Sequence, residues 1–324
     1  MGLMGWFTTE AVGEFLAEAG PFLHAEPARN TVILSVTENL RRNAAAPADG
    51  RAAPGRGTRD AGPGHSSLPT GDQPLFGWWR SGPSGMAGQG QPGPDPVTGA
   101  FMHTPGFPVF LTAMSGQAAA ELAGLLAGTR PAVPGVNAPD QAAEAFADAW
   151  RPRTGDAVTV HRLMRLHRLG TLIPPHPAPE GGMRVAVRQD RDLLVKWFEA
   201  FAVEVDDAAA QDHAAAVDER LGYGGITVWE AGGAPVSIAG VTRAVHGMIR
   251  VGPVYTPPAL RGRGYAGGAT AAASQAALDA GATQVVLYTD LANPTSNALY
   301  ERLGYDPVED RVVLAFTPPD PAAR

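Results

Sequence analysis

Apolar positions in the second half of the chain follow two distinct periods. They alternate with polar positions over residues 183–187, which predicts a strand, whereas Leu194, Phe198 and Phe201 recur at the spacing of one helix face and predict a helix over residues 190–205. Further short β-rich runs predict strands at residues 226–229, 235–242, 249–256, 284–289 and 311–316. The first two of these form a predicted hairpin, because two glycines lie between them.

Two more helices are marked by small residues and caps. A face of closely spaced alanines precedes Gly281, which predicts a helix that ends where left-handed backbone geometry is needed. Asn293 before Pro294 is typical of a helix start, and Gly304 ends that helix after Leu303.

The first half of the chain is less regular. Its pattern predicts helices over residues 9–19, 117–126 and 141–150, and leaves residues 31–36 and 158–172 open between strand and helix. Two runs predict strands that we interpret as the arms of one hairpin with an overgrown turn, residues 75–79 and 109–112. Gly, Pro and Ala without apolar periodicity predict two disordered loops, residues 44–72 and 81–96.

A segment rich in Pro and Gly, residues 173–182, predicts a domain boundary. The order hairpin, strand, helix, strand, turn, helix, strand occurs in residues 75–172 and again in 226–316, and Asn137-x-Pro139 echoes Asn293-Pro294. This echo suggests a duplicated fold. The expected domains are residues 1–180, residues 181–317 and a tail of residues 318–324.

Composition narrows the function classes. The chain has 324 residues, which at ~150 residues per domain agrees with two domains. The absence of cysteine excludes disulfides, thiolate nucleophiles and cysteine-based metal sites. A net charge of -7 argues against general binding to nucleic acid or anionic membranes. Since no apolar run reaches the ~18 residues of a membrane span and no signal peptide is recognisable, a cytoplasmic location is expected.

The turn that precedes the alanine-rich helix carries the candidate chemistry. A strand leads through glycines into a helix, which presents backbone N–H groups at the positive end of that helix with Arg261 and Arg263 beside them. Such a turn is suited to a pyrophosphate. The alternative is a plain turn with two solvated arginines.

Two anion-binding patterns compete for these glycines. Gly262, Gly264 and Gly267 satisfy the dinucleotide pattern GxGxxG, and Asp290 follows roughly where a ribose-binding carboxylate would lie. A second pattern, Q/R-x-x-G-x-G/A, begins at Arg261. The chain after Asp290 has room for one helix and one strand, whereas a nucleotide-binding sheet needs several further strand–helix units, so the second pattern is favoured.

Three stretches together resemble the acetyl-CoA-binding core of the GNAT superfamily of N-acetyltransferases. They are Arg261-x-x-Gly264-x-Ala266, the strand that ends Tyr-Thr-Asp290, and Asn293-Pro-Thr-Ser-Asn-Ala-Leu-Tyr300-Glu-Arg-Leu-Gly-Tyr305. The match spans about residues 184–316. It implies an α/β (α+β) fold with a mixed, mainly antiparallel sheet flanked by helices, here in two tandem domains.

The resemblance also implies residue roles. The glycine-rich loop would hold the pyrophosphate of acetyl-CoA, the co-substrate, and the strand before it would pair with the pantetheine arm. The implied cofactor-binding residues are Val254, Tyr255, Thr256, Arg261, Gly262, Arg263, Gly264, Tyr265, Ala266, Asn293, Ser296 and Tyr300. Helical spacing independently places Ser296 and Tyr300 on one face.

The implied chemistry is direct attack of a neutral amine on a thioester. A backbone N–H near Val254 would stabilise the oxyanion, and Tyr300 would donate to the departing sulfur. Many family members carry a glutamate on the strand before the loop, but residues 249–255 offer no carboxylate. Glu204 is the candidate general base, ahead of Glu199, and a water relay or an amine that is already partly neutral would also serve.

Partners are indicated less directly. An acidic run of residues favours a small cationic amine as acceptor, and a solvated acidic face is the alternative. The run comprises Glu204, Asp206, Asp207, Asp212, Asp218 and Glu219. No metal-ligand spacing accompanies it, and the basic stretch at residues 151–168 has no aromatic platform for nucleic acid. No oligomeric state is indicated.

Two other functions stay open. The missing base favours a non-catalytic acyl-CoA-binding or sensory module, and acetylation of a protein or peptide is not distinguished from that of a small amine. The N-terminal domain lacks both the arginine-glycine loop and a tyrosine at the matching helical position. We therefore expect it to bind no CoA and to shape the amine pocket at the domain interface.

Overall fold

The computed structural model describes residues 5–45, 73–82, 95–129, 133–205 and 212–319. The two predicted disordered loops, residues 44–72 and 81–96, lie almost wholly outside these ranges. Their disorder therefore stays a prediction.

The two halves of the described chain contain the same elements in the same order. The first half consists of β1 (Gly5–Thr9), α1 (Val12–Ala25), α2 (Thr31–Ala45), β2 (Leu75–Arg80), β3 (Val97–His103), β4 (Val109–Leu111), α3 (Gly116–Thr129), β5 (Gly135–Pro139), α4 (Asp140–Thr154) and β6 (Ala157–Leu169). The second half consists of β7 (Gly182–Val185), α5 (Arg191–Glu204), α6 (His213–Leu221), β8 (Ile226–Ala231), β9 (Ala234–Val241), β10 (Met248–Tyr255), α7 (Tyr265–Asp279), β11 (Gln284–Asp290), α8 (Pro294–Arg302) and β12 (Tyr305–Thr317). The duplication suggested by the sequence is therefore visible in the fold.

All of these strands join one sheet. Its order is β1-β2-β3-β4-β5-β12-β6-β11-β10-β9-β8-β7. If the strands of each half are numbered from one to six, the sheet has the same strand order when it is read from either edge. Among the described strands, β4 pairs with β5 and β10 with β11 in parallel, and the other neighbours are antiparallel. The mixed, mainly antiparallel sheet expected from the sequence is confirmed.

The halves exchange their last strands. Strand β12 lies between β5 and β6, where Arg311 is opposite Pro139, and β6 lies between β12 and β11, where Met164 is opposite Asp290. The two exchanged strands also pair with each other along almost their full length, from Ala157 to Leu169.

Both hydrophobic cores include an exchanged strand. In the first half, Trp150 of α4 stacks on Phe316 of β12 with ring centroids 5.2 Å apart. In the second half, α7 and α8 cover β10 and β11, and Leu169 of β6 belongs to that core. Because burial of one large apolar side chain contributes about 1.5–3 kcal/mol, each half depends on the other for part of its core.

Several predicted elements need correction. Residues 75–79 and 109–112 do not form a hairpin, because β3 lies between β2 and β4 and pairs with both. The open segment at 31–36 is the start of helix α2, and the one at 158–172 is mostly strand β6. Helix α6 was not predicted. The other predicted helices and strands are present, with ends shifted by a few residues.

Local signals explain the ends of α8. The Asn293 side chain accepts a hydrogen bond from Ser296 N at 3.1 Å, as an N-cap does. Gly304 has φ +90°, the left-handed geometry that ends a helix and favours glycine.

Candidate functional site

A cleft opens where two parallel strands part. Strands β10 and β11 pair from Met248 opposite Gln284 to Arg250 opposite Val286, and no pairs continue beyond. On its other side β10 shifts register against β9 after Val251. The carboxyl ends of β10 and β11 therefore diverge.

A cavity of about 630 Å³ occupies this cleft. Its wall combines the end of α5, the end of β10, the glycine-rich turn, the end of β11 and one face of α8. The lining residues are Phe201, Glu204, Val205, Val251, Gly252, Pro253, Val254, Tyr255, Thr256, Leu260, Arg261, Gly262, Gly264, Tyr265, Ala266, Gly267, Leu287, Tyr288, Thr289, Asp290, Asn293, Thr295, Ser296, Leu299, Tyr300 and Arg302.

The cavity brings together nearly all of the residues singled out in the sequence. Every predicted cofactor-binding residue except Arg263 lines it, and so does Glu204. Arg263 is exposed and lies outside the lining. Leu299 and Arg302 line it but were not predicted, although both fall at i+4 and i+7 from Thr295 on the cavity face of α8.

The glycine-rich turn ends at an open helix N-terminus. Gly262 and Gly264 have φ +77° and +80°, and Gly264 is the N-cap of α7, where it supplies no side chain. The first intrahelical bond runs from Gly268 N to Gly264 O at 3.0 Å, so the amides of Tyr265, Ala266 and Gly267 precede it. Such amides, at the positive end of a helix dipole, can bind an anion.

The Pro-rich segment expected as a domain boundary packs against this helix. A Cβ added to Gly268 would lie 2.9 Å from Pro179 Cγ and 3.0 Å from the Trp229 ring, so glycine is needed for this close approach. Trp229 Nε1 donates to Glu180 O at 2.9 Å. The segment therefore supports the start of α7.

Arg261 is held at the mouth of the turn by two hydrogen-bond partners. Its Nε donates to Thr256 O at 2.9 Å, and its Nη2 lies 2.6 and 2.7 Å from the two carboxylate oxygens of Glu204. Glu204, the predicted base, is thus engaged at both oxygens by a cation. Glu199 is exposed on α5 and does not line the cavity.

Tyr300 lines the cavity and is 8% exposed. Burial raises its pKa above the ordinary value for tyrosine, so its hydroxyl stays protonated at neutral pH. The ring packs edge-on against Tyr305, with centroids 6.0 Å apart. Tyr305 in turn shares a 2.7 Å hydrogen bond with Ser274 Oγ, outside the cavity lining.

Asp290 is a second carboxylate in the wall. Its Oδ1 accepts from Ala292 N at 2.7 Å, and its Oδ2 lies 3.9 Å from Arg162 Nε. Arg162 comes from strand β6 of the first half and also donates to Val205 O at the end of α5. Arg162 of the first half therefore approaches a residue of the cavity wall, although the lining residues themselves belong to the second half. A role of the first half in shaping the amine pocket stays a prediction.

The acidic run does not gather at the cavity. Of its described members only Glu204 lines it; Asp212 caps α6, Asp218 pairs with Arg191, and Glu219 lies 3.6 Å from Arg243. Asp206 and Asp207 lie outside the described residues. Within the described ranges no group of three or more His, Asp or Glu side chains could hold a metal ion.

In the first half, Arg311 of β12 is 2% exposed and contacts the neighbouring strands β4 and β5. Its guanidinium donates to Leu111 O at 2.6 Å, to Asn137 Oδ1 at 2.9 Å and to Glu309 at 2.8 Å, and it lies over the Phe110 ring at 4.1 Å. These contacts join the ends of β4 and β5.

The sequence echo between Asn137 and Asn293 does not extend to their structural roles. Asn137 lies within β5, and α4 begins later, at Asp140, with no side-chain cap on its N-terminus. The amide oxygen of Asn137 is used by Arg311 instead.

Comparisons with known proteins agree with this geometry. Residues 191–305 match the model of the acetyltransferase (GNAT) family, and this part of the chain is a GNAT domain. The resemblance stated from the sequence is therefore confirmed. No curated protein matches the sequence. In the described ranges, no helix is both long and apolar enough to cross a membrane.

Solved structures extend the likeness to the whole chain. A Drosophila protein solved by X-ray crystallography aligns with 98% of this chain and 99% of its own, with a TM-score of 0.62 and 14% identity. A GCN5-related N-acetyltransferase from Sphaerobacter thermophilus aligns with 78% of this chain and 84% of its own, with a TM-score of 0.52 and 14% identity. At these identities the likeness shows the fold alone.

Proposed function

We propose that the protein is an acetyl-CoA-dependent N-acetyltransferase that acts on the primary amine of a small molecule. Residues 181–317 would be the catalytic domain, residues 1–180 its structural partner and residues 318–324 a tail. The observation that carries this proposal is one continuous cavity that runs from the glycine-rich turn, between the parted strands, to Tyr300. The cytoplasmic location expected from the sequence stays a prediction.

Acetyl-CoA would bind along this cavity. The amides of residues 264–267 and the guanidinium of Arg261 supply the positive potential that a diphosphate needs. The diverging end of β10, residues 254–256, offers backbone groups to the pantetheine arm. A cavity of about 630 Å³ is within the usual range of small-ligand sites, ~300–1,000 Å³.

Transfer would proceed by direct attack of the neutral amine on the thioester carbonyl. With tyrosine near ~10 and a thiol near ~8.5, complete proton transfer from Tyr300 to sulfur is uphill by about 2 kcal/mol. Burial of Tyr300 raises its pKa and widens this gap. The proton would therefore move as the carbon–sulfur bond breaks and the sulfur gains charge.

A cationic acceptor is supported by Asp290 and not by the acidic run. The Asp290 side chain is 40% exposed and lies in the cavity wall, where an ammonium group could approach it. The described acids of the run other than Glu204 have partners elsewhere.

A second candidate is a non-catalytic acyl-CoA-binding module. Strand β10 carries no carboxylate, and the predicted base, Glu204, is held by Arg261. Both observations favour binding without turnover.

Thiol release from acetyl-CoA over a panel of small amines, with one lysine-containing peptide, distinguishes these functions. We expect release with at least one small amine, and a loss of about 100-fold or more for Tyr300→Phe with unchanged CoA affinity. Tyr305→Phe is the matched control, because it removes a buried hydroxyl outside the cavity. CoA binding without release for any acceptor would establish the silent module, and release with the peptide alone would establish a protein acceptor.

A further inference from the structure

The cavity has an acidic residue whose position suits proton transfer. The described lining contains two carboxylates, Glu204 and Asp290. Arg261 Nη2 lies within 2.7 Å of each oxygen of Glu204, which leaves that group poorly placed to receive a proton from a substrate. Asp290 has no such partner at hydrogen-bond distance on its Oδ2, where the nearest atom of Arg162 is 3.9 Å away.

The backbone fixes the position of Asp290 in the wall of the cleft. It is the last residue of β11, beyond the point where β10 and β11 part. Its Oδ1 accepts from Ala292 N at 2.7 Å, which orients the carboxylate and leaves Oδ2 on the other side. The same lining surface includes Tyr300, so an acid and a carboxylate border one cavity.

The strand exchange brings a cation of the first half to this carboxylate. Arg162 lies on β6, next to β11, and its side chain is only 15% exposed. It approaches Asp290 Oδ2 with Nε and donates with Nη2 to Val205 O. Arg162 therefore connects the ends of β11 and α5, two parts of the cavity wall.

We propose that Asp290 accepts the proton of the acceptor amine and that Arg162, supplied by the N-terminal half, is the positioning residue for it. This proposal rests on the proposed acetyltransfer. It gives the N-terminal half a specific part in the reaction, beyond its share of the core.

The reaction moves one proton to Asp290 and one from Tyr300. The lone pair of the neutral amine forms the bond to the carbonyl carbon, and the carbonyl π pair moves to oxygen. The nitrogen, now positive, gives one proton to the Asp290 carboxylate. As the carbonyl re-forms, the carbon–sulfur bond breaks with its electron pair on sulfur, and sulfur takes the Tyr300 proton. Solvent then carries one proton from Asp290 to Tyr300, and the products are an amide and a thiol.

The test uses the full chain, with acetyl-CoA and the best amine of the panel. Asp290→Asn keeps an oxygen for Ala292 N but cannot accept the proton. We expect kcat to fall about 100-fold or more, with the Kd for CoA unchanged. Asp310→Asn is the matched control, because Asp310 also pairs with an arginine of β6, Arg165, but lies outside the cavity; it should stay within about twofold of the wild type.

Arg162 is tested by separate rate and binding measurements. Arg162→Ala should lower kcat about 10-fold and leave the Kd for CoA unchanged, and Arg162→Lys should recover part of the loss because it keeps the charge. A merely structural role would lower kcat and CoA binding together.

Two outcomes overturn the proposal in different ways. If the wild-type chain acetylates an amine and Asp290→Asn keeps more than a third of the wild-type kcat, this proposal alone is overturned. A wild-type chain that binds CoA but acetylates no acceptor would overturn the proposed function and this proposal with it.

Discussion

Glu204 at the end of α5 and Arg261 in the glycine-rich turn form an ion pair across the mouth of the cavity. Arg261 Nη2 lies 2.6 Å from one carboxylate oxygen and 2.7 Å from the other, and the side chains are 41% and 47% exposed. A diphosphate that reaches Arg261 must therefore compete with a carboxylate for the same N–H groups.

Removal of this competitor should favour CoA. We expect Glu204→Gln to bind CoA up to about 5-fold more tightly, because an exposed ion pair contributes roughly 0.2–1 kcal/mol. Titration calorimetry measures the change, and Glu199→Gln on the same helix should leave it unaltered. Thiol release should remain near the wild-type rate. A collapse of turnover in Glu204→Gln would instead identify Glu204 as the base.

The left-handed geometry of Gly264 should be costly to replace. An alanine at φ +80° loses about 1–2 kcal/mol in a left-handed conformation, and any relaxation moves the amides at the start of α7. We expect Gly264→Ala to lower the free energy of unfolding by that amount and to weaken CoA binding. Gly128→Ala in α3, with nothing within 4 Å of its added Cβ, should not destabilise the protein. Equal effects of the two substitutions would contradict this account.

Arg311 should contribute strongly to stability. It is 2% exposed, and its partner Glu309 has a side chain that is 8% exposed, so Arg311→Met leaves a buried carboxylate without its closest cation. Loss of one member of a buried pair costs about 3–5 kcal/mol. Arg165→Met, which breaks the more exposed pair with Asp310, should cost no more than about 1 kcal/mol. Urea denaturation compares the two, and similar losses would show that Arg311 is not held as described.

His167 should make stability depend on pH. It is fully buried on β6 beside Thr289, and burial, followed by the charge of Arg165, lowers its pKa from the ordinary 6.5. The folded state then binds fewer protons than the unfolded state, so this contribution is present above pH ~6.5 and is lost as the pH falls below it. His167→Gln should flatten the fall in unfolding free energy between about pH 7.5 and 5.5. Parallel curves for wild type and His167→Gln would contradict the prediction.

Most of the second half could be predicted from its sequence, because local signals and tertiary structure agree there. Asn293 caps α8 and Gly304 ends it, as their spacing indicates. The glycine-rich turn likewise lies at the start of α7. Such signals depend on neighbours in the chain and need no knowledge of the sheet.

The remaining features depend on contacts that are distant in sequence. Strand β3 begins directly after a Pro-rich stretch, and pairing with both β2 and β4 makes it a strand. Helix α6 is only nine residues long, and Val217 is the one residue that it buries. The exchange of β6 and β12 follows from no local signal, because their partners, β11 and β5, are distant in sequence.

As with the fold, the parts of the site that local motifs mark could be predicted, and the contacts between distant residues could not. The turn and α8 supplied many of the lining residues through their motifs. Asp290 drew attention as a ribose-binding carboxylate in the disfavoured dinucleotide pattern and as the end of a GNAT-like strand, but not as a proton acceptor. Arg162 could not be found, because its place beside Asp290 results from the strand exchange. The ion pair of Glu204 with Arg261 is likewise a contact across 57 positions of the chain.

The central claim is that one cavity, in the second half, holds the diphosphate and the pantetheine arm of CoA. Titration calorimetry of CoA into the full chain tests this most directly. We expect saturable heat with one site per chain, since the first half lacks the arginine-glycine loop, and binding at least 10-fold weaker for Arg261→Ala, which loses charged hydrogen bonds. An absence of heat at millimolar CoA, or two equivalent sites per chain, would contradict the account.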